Sequence, residues 1–318
     1  MKEVKELINR FQPNTYAGRC GKIYTDTSDF MRIGHGDVIK IGGKHYFVLR
    51  DEVERSFGLE DPKYWVKRCK LLETGERKLL KLVFYEKFFL NFEGTQILCY
   101  RSPRKEARIL DLVRGDKRFM QGFSIDDTAG NRVRIIDLIR GKRLDIVVFD
   151  IQADHKTYFH EFLPEILEKF IDACEAIAFL HKHGEKHGDI RRDHLWEDSK
   201  TKQYRWIDFD YTFDFYENPF GLDIFGLGAL LLYLVGKNYY TPQNLSDFDF
   251  SADILASLKQ EDYLLLFRNR LANLGKLFPY IPKELNWMLL HFSCGSNVFY
   301  ETVDEFLKDL RACVRLIK

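Results

Sequence analysis

The spacing of apolar residues changes near residue 150, and that change constrains the fold more than any other feature of the chain. Before it, short stretches alternate at period 2, as half-buried strands do; after it, apolar residues recur at helical spacing. Residues 36–49, GDVIKIGGKHYFVL, read as two strands around Gly42-Gly43. Residues 64–72 and 78–84 read as a second hairpin around Glu73-Thr74-Gly75-Glu76. A helix is predicted over 102–113, with Ser102 as N-cap and Pro103 in the first turn. Two further strands follow at 118–125 and 132–139. Beyond residue 150 the spacing predicts a helix over 157–182, with Leu163, Ile166, Leu167, Phe170, Cys174 and Ile177 on its apolar stripe and Gly184 as its stop. Short strands near 194–197 and 204–208 flank the turn Asp198-Ser199-Lys200, and helices are expected over 223–236, 251–274, 282–292 and 302–316. The expected class is α+β: an antiparallel sheet carrying one helix, then a mainly helical half.

Composition narrows the function. A chain of 318 residues, 45% hydrophobic and 31% charged, has enough apolar material for two domains and is not a disordered tract. Lys+Arg 49 against Asp+Glu 48 leaves a net charge of +1, so no global field favours nucleic acid, and no nucleic-acid partner is expected. The longest apolar run, Phe225 to Val235, is too short to span a bilayer, and MKEVKELINRF lacks the pattern of a signal peptide. The six cysteines, at 20, 69, 99, 174, 294 and 313, form no C-x-x-C pair. They read as reduced thiols of a cytoplasmic protein rather than a zinc or redox site.

Chemistry concentrates between residues 187 and 209. His187-Gly188-Asp189 and His194 are followed by Ile207-Asp208-Phe209, with Asp210 just beyond. Asp189 and Asp208 lie 19 positions apart with a hairpin between them, and a hairpin returns its two ends to neighbouring places. Two convergent carboxylates suit metal–phosphate chemistry: one holds a hard cation, the other takes a proton from an attacking hydroxyl. The bland alternatives are a loop aspartate capping backbone amides and a turn aspartate. His181, His183, His187 and His194 invite a transition-metal site, but His181 and His183 close a helix, where such residues are expected anyway. Asp223, opening an apolar helix, reads as a structural anchor for the loop backbone.

These residues resemble the protein-kinase superfamily. HGDIRRDHLW resembles the catalytic loop H-R-D-x-x-x-x-N, and IDFD resembles the D-F-G segment. LLKLVF puts Lys81 where the strand lysine falls, and PRKEARIL puts Glu106 where the helix glutamate falls. RIIDLIRGKRL, 134–144, resembles the hinge; LDIFGLG, 222–228, and YETVDEFLKDL, 300–310, resemble later helices. The resemblance implies a bilobal kinase-like fold, with an extension at 1–44, an N-lobe at 45–138 and a C-lobe at 139–318. It implies an ATP-dependent phosphotransferase, of the Ser/Thr protein-kinase type with a reduced activation segment. Asp189, Lys81, Glu106 and Arg191 would be catalytic; Lys81, Gly58, Asp137 and Ile139 would bind the nucleotide; Asp208 and His194 would bind Mg²⁺ or Mn²⁺. The partners would be ATP and a protein or small-molecule phosphoacceptor. Without that frame, Lys81 is a solvated edge lysine and Glu106 a first-turn acid satisfying the helix dipole.

The chain also departs from the family. VERSFGLEDP has one glycine, Gly58, where the phosphate loop has three. Gly188 replaces the loop arginine, His194 stands where a metal-binding Asn falls, and Arg191 replaces a lysine. Only 14 residues separate Asp208 from Asp223, with no A-P-E among them, and Phe299 stands where that glutamate's arginine partner falls. Two alternatives therefore stay open: a small-molecule kinase of the same superfamily, resembling the aminoglycoside and choline phosphotransferases, and a nucleotide-binding pseudokinase or interaction module.

Overall fold

The computed structural model describes residues 2–13, 20–56, 59–92 and 94–317. The chain is α+β and divides into two compact units, Met1–Lys87 with Tyr100–Ile139, and Phe88–Cys99 with Arg140–Lys318.

The first unit is built on a seven-stranded sheet. Its strands run in the order Ile23–Tyr24, Val38–Ile41, Lys44–Ser56, Leu59–Leu71, Arg77–Lys81, Arg132–Asp137, Gly122–Asp126. Every neighbouring pair is antiparallel except Ile23–Tyr24 with Val38–Ile41. The sheet is larger than the sequence pattern indicates, because Ile23–Tyr24 adds a strand that the pattern does not show. Alternation sends Ile39, Ile41, Tyr46, Val48, Cys69, Leu80, Val133 and Ile135 to one core. The other face takes the helix Lys2–Phe11, whose Val4 and Ile8 pack on Val38, Phe47 and Leu72. Burying each of those two side chains stabilises the unit by about 1.5–3 kcal/mol. Together with Pro103–Leu112 this makes two α-helices among the described residues of the unit, not the one expected. Ser102 caps Pro103–Leu112 by accepting from the Lys105 N–H at 3.3 Å, as its sequence implies.

The second unit is not purely helical. Two three-stranded sheets, neither complete in the sequence pattern, accompany the helices: Gly141–Arg143, Leu195–Asp198, Tyr204–Trp206, and Tyr211–Asp214, Thr95–Arg101, Lys87–Phe92. Leu163–Lys182 packs against Gly221–Gly236 and Val303–Leu316. The predicted helix over 157–182 is interrupted by a π-turn at Tyr158–Phe162. Pro164 follows it and has no N–H to continue the regular ladder. The predicted helix over 251–274 is a correction. Only Ala252–Ala256 is α-helical. Beyond it, Asp262 captures the chain: its carboxylate accepts from the Lys259 N–H and from Asn273 Nδ2, and its carbonyl accepts from the Ala272 and Asn273 amides. Such side-chain bonds compete with helix continuation. No helix among the described residues is long and apolar enough to cross a membrane.

His155 lies flat against Phe278, with ring centroids 3.6 Å apart. Its Nε2 is 3.0 Å from the Val235 carbonyl oxygen and its Nδ1 2.6 Å from the Tyr280 hydroxyl. The neutral ring satisfies both contacts, donating from Nε2 and accepting at Nδ1. Burial drives its pKa from 6.5 down to about 4, against the opposing bond to Val235. The folded value lies below the unfolded one, so the stability is complete above pH 6.5 and is lost as the pH falls towards about 4. The urea midpoint is expected to fall over that interval, and the His155→Gln variant to lose much of the dependence.

Candidate functional site

In the second unit the loop at 187–194 is held from below by its main chain. Asp223, in the first turn of Gly221–Gly236, accepts from the His187 N–H at 2.7 Å and the Gly188 N–H at 2.8 Å. The same carboxylate lies 3.0 Å from His181 Nε2. Burial alone would raise the Asp223 pKa, but these partners bring it below the ordinary value. Asp223 is thus the loop anchor the sequence suggests. Gly188 has φ +89°, a conformation that a side chain strains. Gly226 lets the helix reach the loop: a Cβ there would lie 2.7 Å from Ile190 Cβ.

The loop brings four of the sequence-selected residues together. His194 Nδ1 is 2.8 Å from the Asp189 carbonyl oxygen and 3.5 Å from its Oδ2, while Nε2 is 3.8 Å from Asp208 Oδ2. One imidazole therefore spans the two aspartates. Arg191 fastens to Asp193, with Nε 3.1 Å from Oδ1, and its Nη1 is 3.8 Å from Asp189 Oδ2. Burial raises the Asp189 pKa above the ordinary carboxylate value, with His194 and Arg191 pulling against it. A carboxylate shifted this way is a stronger base when ionised. Burial would lower the His194 pKa, but Asp189, Asp208 and Asp193 outweigh it and raise it. Burial would raise the Asp193 pKa too, yet the Arg191 guanidinium pulls it down to about 2.

Asp208 follows the strand Tyr204–Trp206 and adopts φ +67°, rare for a residue with a side chain. Its carboxylate comes within 4.8 Å of that of Asp210, which is fully buried. Two close carboxylates are a donor set that fits a hard divalent cation. Asp210 is a residue the sequence motif did not single out as a ligand. His194 is held at Nδ1 by the Asp189 backbone carbonyl, which leaves Nε2 facing Asp208, and the surrounding carboxylates raise its pKa.

In the first unit Lys81 and Glu106 meet, with Nζ 2.7 Å from Oε1. Lys81 ends the strand Arg77–Lys81 and Glu106 lies in the first turn of Pro103–Leu112. Arg134, on the adjacent strand and paired in register with Lys81, donates from Nε to Glu106 Oε2 at 3.0 Å. It also donates to the carbonyls of Leu82 and Arg132. Lys81, Glu106 and Arg134 are all buried, so a solvated edge lysine does not describe Lys81, while Glu106 is a first-turn acid that also pairs with two cations. Sequence reasoning missed Arg134. The available signal was a cation in the middle of the apolar strand RVRIID. Asp137 is exposed and paired with Lys78 at 2.7 Å, and Ile139 is half-buried at the end of the unit. Gly58 lies outside the described residues. No protein-family model and no curated protein matches the chain.

Proposed function

We propose that the protein is a divalent-metal-dependent phosphotransferase of the protein-kinase-like type, using ATP as donor. The observation that carries this reading is the joining of Asp189 and Asp208 across one imidazole, on a loop whose shape Asp223 fixes through backbone amides. In this reading Asp189 takes the proton of the acceptor hydroxyl, whose oxygen attacks the γ-phosphorus as the bond to the departing diphosphate breaks. Arg191 holds Asp193 and contributes positive charge beside Asp189. Asp208 and Asp210 would hold the metal, and such an ion would supply positive charge to the phosphate oxygens. Within the first unit, Lys81 is oriented by Glu106, as a lysine that pairs with nucleotide phosphates would be.

One observation favours a small acceptor over a protein. Four of the 14 residues between Asp208 and Asp223 are committed to the strand Tyr211–Asp214, which pairs with Thr95–Arg101. Little chain is left there for a peptide-docking platform. The first test is thermal. Mg-ATP at millimolar concentration is expected to raise the melting temperature, by mass action on the folded state. No shift with Mg²⁺ or Mn²⁺ would defeat the proposal. Transfer of label from γ-labelled ATP, read against a panel of proteins and of hydroxyl-bearing metabolites, separates the two acceptor classes. A shift without transfer would identify a nucleotide-binding pseudokinase.

A further inference from the structure

Arg192 and Arg270 are half-buried and have no carboxylate partner among the described residues. Each instead lies on aromatic rings. The Arg270 guanidinium carbon is 4.0 Å from the Tyr239 ring centroid and 4.1 Å from that of Phe267. The Arg192 carbon is 5.4 Å from the same Tyr239 ring and 5.1 Å from that of Tyr233. The two like charges are close enough for each to feel the other: burial lowers the pKa of Arg270, and Arg192 lowers it further. The nearby acids are already taken. Asp193 is bound by Arg191, and Asp145, beside Tyr233, is bound by Arg143 at 2.9 Å.

Holding two guanidiniums together, partly out of water and without counterions, costs free energy unless an anion completes the site. The positions are also fixed in advance. The Arg270 N–H donates to the Phe267 carbonyl and its own carbonyl accepts from Leu264, while Tyr239 is held by its hydroxyl bond to the Ala229 carbonyl at 3.0 Å. Arg192 also lines an open groove of about 1090 Å³, which gives a ligand access.

We propose that Arg192 and Arg270, stacked on Tyr239, form a binding site for the dianionic phosphate group of a phosphate monoester. Two guanidiniums balance a charge near −2 and present forked N–H donors to its oxygens, whereas a carboxylate would leave one charge unmatched. Arg192 lies on the same loop as Asp189, but the site uses none of the aspartates and stands whether or not the protein transfers phosphate.

The test is a titration of the metal-free protein at constant ionic strength, following the arginine Nε–H signals by NMR. Inorganic phosphate and phosphoserine are expected to shift the Arg192 and Arg270 signals saturably, and acetate to do so much more weakly. Phosphoserine binding more tightly than inorganic phosphate would place the rest of an ester in the groove; equal binding would place only the phosphate. Arg270→Gln is expected to weaken binding about tenfold or more, with Arg270→Lys intermediate. Shifts that grow linearly without saturation, acetate binding as well as phosphate, or unchanged affinity in a folded Arg270→Gln variant would each overturn the proposal. The titration of the unaltered protein decides the matter even if the variant does not fold.

Discussion

Asp189→Asn is expected to lower turnover by about 10²–10⁴, the usual contribution of a positioned general base, while the protein remains folded and still binds Mg-ATP. Asparagine keeps the shape of the side chain and removes its basicity. The strongest local contact survives, because His194 Nδ1 meets the backbone oxygen of residue 189 and not only its carboxylate. The loop amides stay fixed by Asp223. Asp208→Asn is expected to behave differently, impairing metal-dependent nucleotide binding as well as turnover. The two variants are compared by label transfer from γ-labelled ATP and by thermal shift with and without metal. Equal loss of nucleotide binding in both would refute the division of roles. Unfolding of Asp189→Asn would make the residue a structural cap.

Glu106→Gln is expected to destabilise the first unit by about 3–5 kcal/mol, the range seen when one partner of a buried ionic group is removed. Glu106 is the shared anion of two buried cations, 2.7 Å from Lys81 and 3.0 Å from Arg134. Glutamine preserves the volume and removes the negative charge that the two cations share. Urea unfolding measures the loss. Adding Lys81→Met to Glu106→Gln is expected to recover part of it, since the two residues interact directly at 2.7 Å and their effects are then not additive. A change below about 1 kcal/mol would show that Glu106 is worth no more than a surface pair.

The parts of this fold that could be read in the sequence are those written locally. The Gly42-Gly43 turn, the Ser102 cap and the strands flanking Asp198-Ser199-Lys200 depend on residues a few positions apart, and the structure has them where the pattern puts them. The stretch at 251–274 failed because Asp262 and Asn273 act across 11 positions on each other's backbone and side chain, which apolar spacing does not register. Within the site, Asp189, Asp208 and Asp223 stood out because their neighbours in sequence mark them. Arg134 did not, because a buried arginine gains its meaning from a glutamate 28 residues away. Lys67 is hidden for the same reason, fully buried against Asp51 and the Ile33 carbonyl.

The grip of Asp223 on the loop has a consequence for how such a protein can change. It holds main-chain N–H groups, which every residue but proline possesses. The course of the chain at 187–188 is therefore set by main-chain bonds, and the glycine at 188 is favoured there by its backbone angle. Further along, Arg191 and Asp193 hold each other as an ion pair, so a change of charge there spares the loop best when both are exchanged together, while the amides at 187–188 stay fixed by Asp223.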